Sequence, residues 1–187
     1  FGYTAGVTFS HYKNEVLSLD ANANTFVRSG GSRIGDLTYS TAGEALGQYY
    51  GFVQDGLWAS QDEINRVLFE APGDAKPGRF KFVDQNGDGK LDAMDETFIG
   101  SPHPDFYYGI NLTANYKNFD LTLYFQGVQG NEILNYVKYF THTPAFQANY
   151  SKEMLTEAGK SLPVLDATDN YSNQRSSFYV EDGSYFR

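Results

Sequence analysis

The chain has 187 residues and a formal net charge of −9 at pH 7, and it contains 15 Tyr, 15 Phe, 19 Gly and no Cys. This composition favours strands and turns over helices. The charge argues against nucleic acid as a partner, since no basic cluster is present to contact phosphates. The lack of cysteine excludes disulfides and thiolate metal sites.

The first ten residues alternate between apolar and small polar side chains, with Phe1, Tyr3, Ala5, Val7 and Phe9 on one face. A period of two predicts a β-strand with one apolar face, and we extend this strand to residue 19. The sequence has no apolar run of about 18 residues, so it predicts no transmembrane helix. A strand of a membrane barrel needs only about 9–11 alternating residues and escapes such a search.

Residues 84–95 have the spacing of a calcium-binding loop, with Gly89 at the sharp turn. The predicted ligands fall at loop positions 1, 3, 5, 7, 9 and 12, and they are Asp84, Asn86, Asp88, Lys90 through its carbonyl, Asp92 and Asp95. We predict a structural Ca²⁺, bound weakly, on the order of 10⁻⁴–10⁻³ M, because Asp95 replaces the usual Glu. Glu96 is an alternative twelfth ligand, and a solvated acidic turn is the competing interpretation.

Residues 108–127 predict a hairpin of two alternating strands joined by a tight turn at Lys117 and Asn118. Aromatic residues near the strand ends suit a membrane barrel, with apolar residues outward and polar residues toward a lumen. A soluble β-sandwich would give a similar local pattern. The pattern by itself leaves both architectures open.

No stretch of the sequence carries a catalytic motif. His11, His103 and His142 are scattered, and no nucleophile elbow or phosphate-binding loop is present. We therefore predict that the protein is not an enzyme.

Residues 128–177 read as a long irregular segment, and residues 178–187 read as the start of another strand. Both chain ends are expected to be internal to a longer polypeptide.

Five stretches taken in order resemble the SusC/RagA-type TonB-dependent outer-membrane transporters of Bacteroidetes. They are residues 49–57, the acidic stretch at 77–92, the proline-containing segment at 98–106, the hairpin at 108–127 and the EDGSY sequence at 181–185. Each stretch is weak alone, but the five in order are specific. The resemblance implies an all-β fold: a C-terminal portion of a 22-stranded antiparallel transmembrane barrel with long extracellular loops and short helices.

The resemblance also implies a function and a location. It implies TonB-energised import of glycan or peptide oligomers through the bacterial outer membrane, in contact with its lipid, under a lid formed by a SusD-like surface lipoprotein. With the pattern, it places 1–19 as an outward strand, 20–107 and 128–177 as extracellular loops, 117–118 as a periplasmic turn and 178–187 as the next strand. The alternative is a secreted, calcium-stabilised β-sandwich that binds carbohydrate.

Overall fold

Strands dominate the computed structural model, which describes residues 1–19, the backbone of 27–29, and residues 33–143 and 149–187. The predicted loop at 20–107 includes residues 20–26 and 30–32, and the loop at 128–177 includes 144–148; these residues lie outside the described part. The strands are β1 (Gly2–Ser10), β2 (Val27–Ser29), β3 (Thr38–Ser40), β4 (Gln48–Gly51), β5 (Gln54–Leu57), β6 (Phe80–Phe82), β7 (Thr97–Gly100), β8 (Phe106–Tyr116), β9 (Phe119–Gln129), β10 (Glu132–Leu134), β11 (Val180–Asp182) and β12 (Tyr185–Phe186). The helices are α1 (Gln61–Val67), α2 (Val137–Thr141) and α3 (Met154–Glu157), with 3₁₀ turns at Ala93–Asp95 and Ser177–Tyr179.

The longest strands form an antiparallel sheet in the order β1-β8-β9-β12. Strands β8 and β9 are a hairpin that pairs from Tyr116 with Phe119 to Phe106 with Gln129, so it runs two residues further at each end than the predicted range. The turn lies at Lys117 and Asn118, and Lys117 adopts a φ of 53°. A two-residue turn with positive φ matches the twist of the strands that it joins.

The register of this sheet places apolar side chains together on one side. Alternate residues point to opposite sides, so Ala5, Leu112 and Leu123 share one face, while Thr4, Thr113 and Thr122 share the other. We call these the apolar face and the polar face. The apolar face is open: Val7 is 75% exposed and Leu121 is 55% exposed. A β-sandwich would bury this face against a second sheet, and no sheet within the described ranges covers it.

Aromatic rings mark both ends of the apolar face. Near the hairpin turn, the rings of Phe1 and Tyr116 lie 6.4 Å apart. We call Phe1, Tyr3, Tyr116 and Phe119 the near-turn aromatic band. At the other end Phe9 lies 5.1 Å from Phe106, and Tyr108 lies 5.9 Å from Phe186. These four and Phe125, whose ring lies 5.5 Å from that of Phe186, form the far aromatic band. Aliphatic residues that include Ala5, Leu112 and Leu123 fill the space between the two bands.

Two predicted strands are shorter than expected. Strand β1 ends at Ser10, because its partner strand begins just beyond Pro104. Residues 11–19 do not continue the strand, and the Val16 N–H instead donates a hydrogen bond to the Glu44 carbonyl at 2.8 Å. The prediction of strand for the whole of 1–19 is therefore wrong. The predicted strand at 178–187 is divided, since Val180–Asp182 pairs with β10 and only Tyr185–Phe186 joins β9. The Gly183 N–H donates to Asn131 at the break.

The residues between the long strands fold into a packed region with its own core. That core is aromatic-rich and consists of Phe52, Trp58, Ile64, Leu68, Ala75, Phe80, Phe82 and Tyr171. The sequence Ser60-Gln-Asp-Glu63 is a capping box, which predicts a helix start, and helix α1 begins there: Ser60 Oγ accepts the Glu63 N–H at 3.2 Å. Glu63 in turn accepts the Ala59 N–H, which lowers the pKa of the Glu63 carboxyl. Of the helices in the described residues, none has the length and apolarity to cross a bilayer.

The sheet does not close on itself within the residues described. Its edge strands are β1 and β12, and β12 pairs only with Val128 and Gly127 of β9. The structure is mostly strand with a few short helices, as expected, but this chain by itself forms an open wall and not a closed 22-stranded barrel.

Candidate functional site

The acidic loop at 84–95 lies between β6 and β7, and its first half is organised by side chains that accept backbone N–H groups. The two carboxylate oxygens of Asp84 accept the Gly87 N–H at 2.7 Å and the Gly89 N–H at 2.8 Å. Asn86 Oδ1 accepts the Asp88 N–H at 2.9 Å. These local hydrogen bonds bend the chain into a tight turn.

The second half of the loop is anchored by a buried carboxylate. Asp95 is 1% exposed, and its two oxygens accept the N–H groups of Gln85 and Asp92, each at 2.9 Å. Asp92 caps the 3₁₀ turn by accepting the Met94 N–H at 2.7 Å. Glu96, the alternative twelfth ligand, forms an ion pair with Arg175, with both carboxylate oxygens within 2.6 Å of Nη2. Of the two, Asp95 is the residue that folds back onto the loop.

The oxygen-rich donor set suits a hard cation such as Ca²⁺. Each carboxylate oxygen that accepts one N–H keeps a second lone pair for a metal. Across the described ranges, however, no three His, Asp or Glu side chains converge closely enough to hold an ion. The oxygens of Asp84, Asn86, Asp88 and Asp92 would have to turn inward together with the Lys90 carbonyl, so calcium binding at this loop stays a prediction.

A segment after helix α1 fixes the outer side of the acidic loop. The ring of Phe69 lies so close to Gly89 that a Cβ there would come within 2.1 Å of the ring. Lys90 forms an ion pair with Glu70, and the Glu70 N–H donates to the Gly89 carbonyl at 3.2 Å. Gly89 is therefore needed twice, for its φ of 76° and for this close contact.

Beside the loop lies a cleft of about 290 Å³ between segments that are far apart in sequence. The floor is apolar and the rim is polar. The floor is made by Phe52, Pro72, Phe82, Leu91 and Tyr171, and the rim by Asp74, Asp92, Glu96, Asn170 and Gln174. We call this the loop cleft. One wall belongs to the acidic loop, and the facing wall belongs to residues 170–174.

A buried arginine ties the segment just before residues 170–174 to Asp74 at the rim of the loop cleft. Arg79 is 1% exposed; its Nη2 donates to Asp166 at 2.7 Å and to Thr168 at 3.2 Å, and its Nη1 donates to the Asp74 carbonyl at 2.8 Å. The hydrogen bond from Arg79 holds the pKa of Asp166 well below its usual range. Arg175, paired with Glu96, links the two walls.

Sequence reasoning found the acidic loop and missed the loop cleft. Arg79 and Asp166 are separated by 87 positions, and Arg175 and Glu96 by 79. No local spacing marks such pairs. The one available signal was the group of aromatic residues that includes Phe52 and Trp58, which the structure buries in the core beneath the cleft.

Comparison with known proteins agrees with this architecture. TonB-dependent receptor P3 of Formosa agariphila is 32% identical over 193 residues, which take in all of this chain and 19% of that receptor. TonB-dependent receptor P26 of the same organism is 31% identical over 201 residues, with the same coverage. Over its whole length the chain matches a segment of TonB-dependent receptors. No family model matches it.

Solved structures share the fold of this receptor segment. The RagAB peptide importer in its open-open state matches 99% of this chain and 19% of its own, with a TM-score of 0.70 at 21% identity. A structure of the RagAB peptide transporter gives the same TM-score and coverage at 19% identity. The chain thus spans about a fifth of the proteins that it matches. Receptors of this type are outer-membrane proteins, and the outer membrane is the location of this one.

Proposed function

We propose that the full receptor imports an oligomeric nutrient, a glycan or a peptide, across the outer membrane with energy relayed by TonB. A SusD-like surface lipoprotein closes over the substrate in this proposal, and no catalytic step is assigned to the chain. The curated relatives are named TonB-dependent receptors, and the RagAB structures are named a peptide importer and transporter. These names support import as the activity of the whole protein.

The observation that carries the proposal is the open apolar face between two aromatic bands. From Tyr108 to Tyr116 is eight residues, or about 27 Å along a strand. A strand tilted by about 40° spans roughly 21 Å along the membrane normal, close to the ~25 Å apolar band of outer-membrane barrels. Val7, Leu112 and Leu123 would contact lipid tails, and the two bands would lie at the interfaces.

The polar face would then line the lumen, and the open strand edges would pair with further strands of a 22-stranded barrel. Unpaired N–H and carbonyl groups cannot be satisfied in lipid, so the edges of β1 and β9 require neighbours. In this arrangement the turn at 117–118 is periplasmic. The packed region formed by 33–105, 130–143 and 149–184 is extracellular, within the two loops expected at 20–107 and 128–177.

We further propose that Ca²⁺ orders the acidic loop at the cell surface. The first half of the loop already bends around Asp84, and Asp95 fixes its end. A cation would draw the remaining oxygens together and reduce the entropy cost of ordering a long loop. This role is structural, because every predicted ligand is a protein group.

The test of the membrane-wall proposal uses two neighbouring residues on opposite faces of β9. Leu123 lies midway between the aromatic bands on the apolar face, and Thr122 lies beside it on the polar face. Leu123→Arg is expected to destabilise a barrel by about 2–4 kcal/mol, whereas Thr122→Arg faces water and is tolerated. The measurement is the amount of heat-modifiable, folded full-length receptor in the outer-membrane fraction.

A strong loss for Leu123→Arg alone supports the proposal. Equal yields of the two variants would refute it, since the two faces would then have the same environment. A receptor recovered folded without detergent would also refute it, and would favour the secreted β-sandwich.

A further inference from the structure

The loop cleft combines an aromatic floor with a rim that carries excess negative charge. The rings of Phe52 and Phe82 lie 5.3 Å apart, and those of Phe82 and Tyr171 lie 5.2 Å apart. All three side chains are at least nine-tenths buried, so the floor is fixed by the core. The rings hold the half-buried Pro72 and Leu91 in place, and these apolar side chains can accept the methylene stem of a long side chain.

The negative charge comes from the rim itself, where Asp74, Asp92 and Glu96 stand with no Lys or Arg among the described lining residues. Arg79 lies beside the cleft and is shared among three carboxylates, so it does not fully neutralise Asp74. Its guanidinium lies 2.7 Å from Asp166, 3.6 Å from Asp169 and 3.8 Å from Asp74. One cation facing three carboxylates leaves an excess of two negative charges. Asp74 is the most distant of the three, and its side chain is 60% exposed at the rim of the loop cleft.

The other two acidic side chains of the rim, Asp92 and Glu96, are less free than Asp74 to bind a cationic ligand. Glu96 is neutralised by Arg175. Asp92 adds a further carboxylate from the facing wall, but it also belongs to the predicted calcium loop. Asp74 is therefore the carboxylate on which recognition at this cleft depends.

We propose that the loop cleft binds an ammonium or guanidinium group on an aliphatic stem, the chemistry of a lysine or arginine side chain in a peptide. The stem lies on Pro72 and Leu91, the half-buried part of the apolar floor, and the charged head donates hydrogen bonds to Asp74. This inference rests on the proposed import function and narrows its substrate to peptides with basic side chains. A neutral sugar lacks the charge, and an acidic oligomer is repelled by the same rim.

The test measures binding of two capped peptides to the purified full-length receptor in detergent. One is Ala-Ala-Lys-Ala-Ala, and the other has norleucine in place of lysine, which keeps the four-carbon stem and removes the charged ammonium group. A charge-assisted hydrogen bond in a partly enclosed cleft predicts about tenfold tighter binding of the lysine peptide. Raised salt is expected to reduce this preference.

Asp74→Asn is the diagnostic variant, because the Arg79 hydrogen bond to residue 74 uses the backbone carbonyl and survives the change. It is expected to abolish the preference for the lysine peptide. Asp62→Asn, at an exposed residue of helix α1, makes the same change in net charge and is expected to keep the preference.

Equal binding of the two peptides by the wild type, no measurable binding of the lysine peptide, or a preference that survives Asp74→Asn would overturn the inference. Binding of a neutral oligosaccharide that ignores Asp74→Asn, without the lysine preference, would do the same. The heat-modifiable band from the same preparation distinguishes failure of the cleft inference from failure of the proposed import function. A folded outer-membrane receptor without the preference contradicts the cleft alone, whereas a detergent-independent protein contradicts the import function.

Discussion

Replacing Arg79 with methionine is expected to release the segment at 166–172 from the rest of the packed loop region. The substitution keeps much of the side-chain volume but removes the hydrogen bonds to Asp166, Thr168 and the Asp74 carbonyl. It also leaves the buried Asp169 carboxylate, which is fully shielded from solvent, without its cation.

The magnitude follows from the burial of each partner. Breaking a buried ion pair from one side costs about 3–5 kcal/mol. Asp74 and Asp166 are partly exposed, so water compensates them once the arginine is lost. Asp169 has no such compensation. We therefore expect the lower end, about 3 kcal/mol, which corresponds to roughly a hundredfold change in a local opening equilibrium.

Hydrogen exchange of the full-length receptor in detergent measures this opening directly. The N–H groups of Tyr171 and Ser172 both donate to Asp169 Oδ1 at 2.9 Å, so their exchange reports on the segment. Arg66→Met, at an exposed arginine of helix α1, is the matched control and is expected to leave exchange at 169–172 unchanged. Arg79 would not be what holds the segment at 166–172 if Arg79→Met left that protection within about threefold of the wild type.

Two further predictions concern the same region. Gly51→Ala would place a Cβ 2.5 Å from the Arg175 carbonyl oxygen and should destabilise the packed loop region by about 1–3 kcal/mol, measured as faster proteolysis. Gly6→Ala places its Cβ in open space and should leave proteolysis unchanged. Equal proteolysis of the two variants would show that the close contact at Gly51 does not matter. Ca²⁺ at about 10 mM should slow hydrogen exchange at residues 84–95. Asp84→Asn should abolish this slowing, and the control variant Asp62→Asn should retain it. Exchange that is the same in chelator and in Ca²⁺ would contradict calcium binding.

The long strands could be predicted from the sequence because their determinants are local. Alternation along β1, β8 and β9 needs only a period of two, and the hairpin turn needs only two residues at 117–118. Helix α1 was equally local, since Ser60 and Glu63 are three residues apart. The family resemblance likewise depended on short local stretches, among them the hairpin, that occur in a fixed order.

The errors arose where a strand needed a distant partner. Residues 11–19 alternate weakly but have no strand to pair with beyond Ser10, and the segment after Phe178 divides its hydrogen bonds between β10 and β9. A sequence pattern records the preference of one strand, and its partner fixes where the strand ends.

What the sequence determined by itself is the all-β class, the apolar and polar faces of the wall, and the order of oxygen donors in the acidic loop. What only the tertiary structure decided is the loop cleft. It forms because Arg79 pairs with Asp166, 87 positions away in the sequence, and Arg175 pairs with Glu96, 79 positions away. The physical reason is that a pair of opposite charges is stabilised by proximity in space, and a linear pattern holds no record of which distant charges the fold brings together.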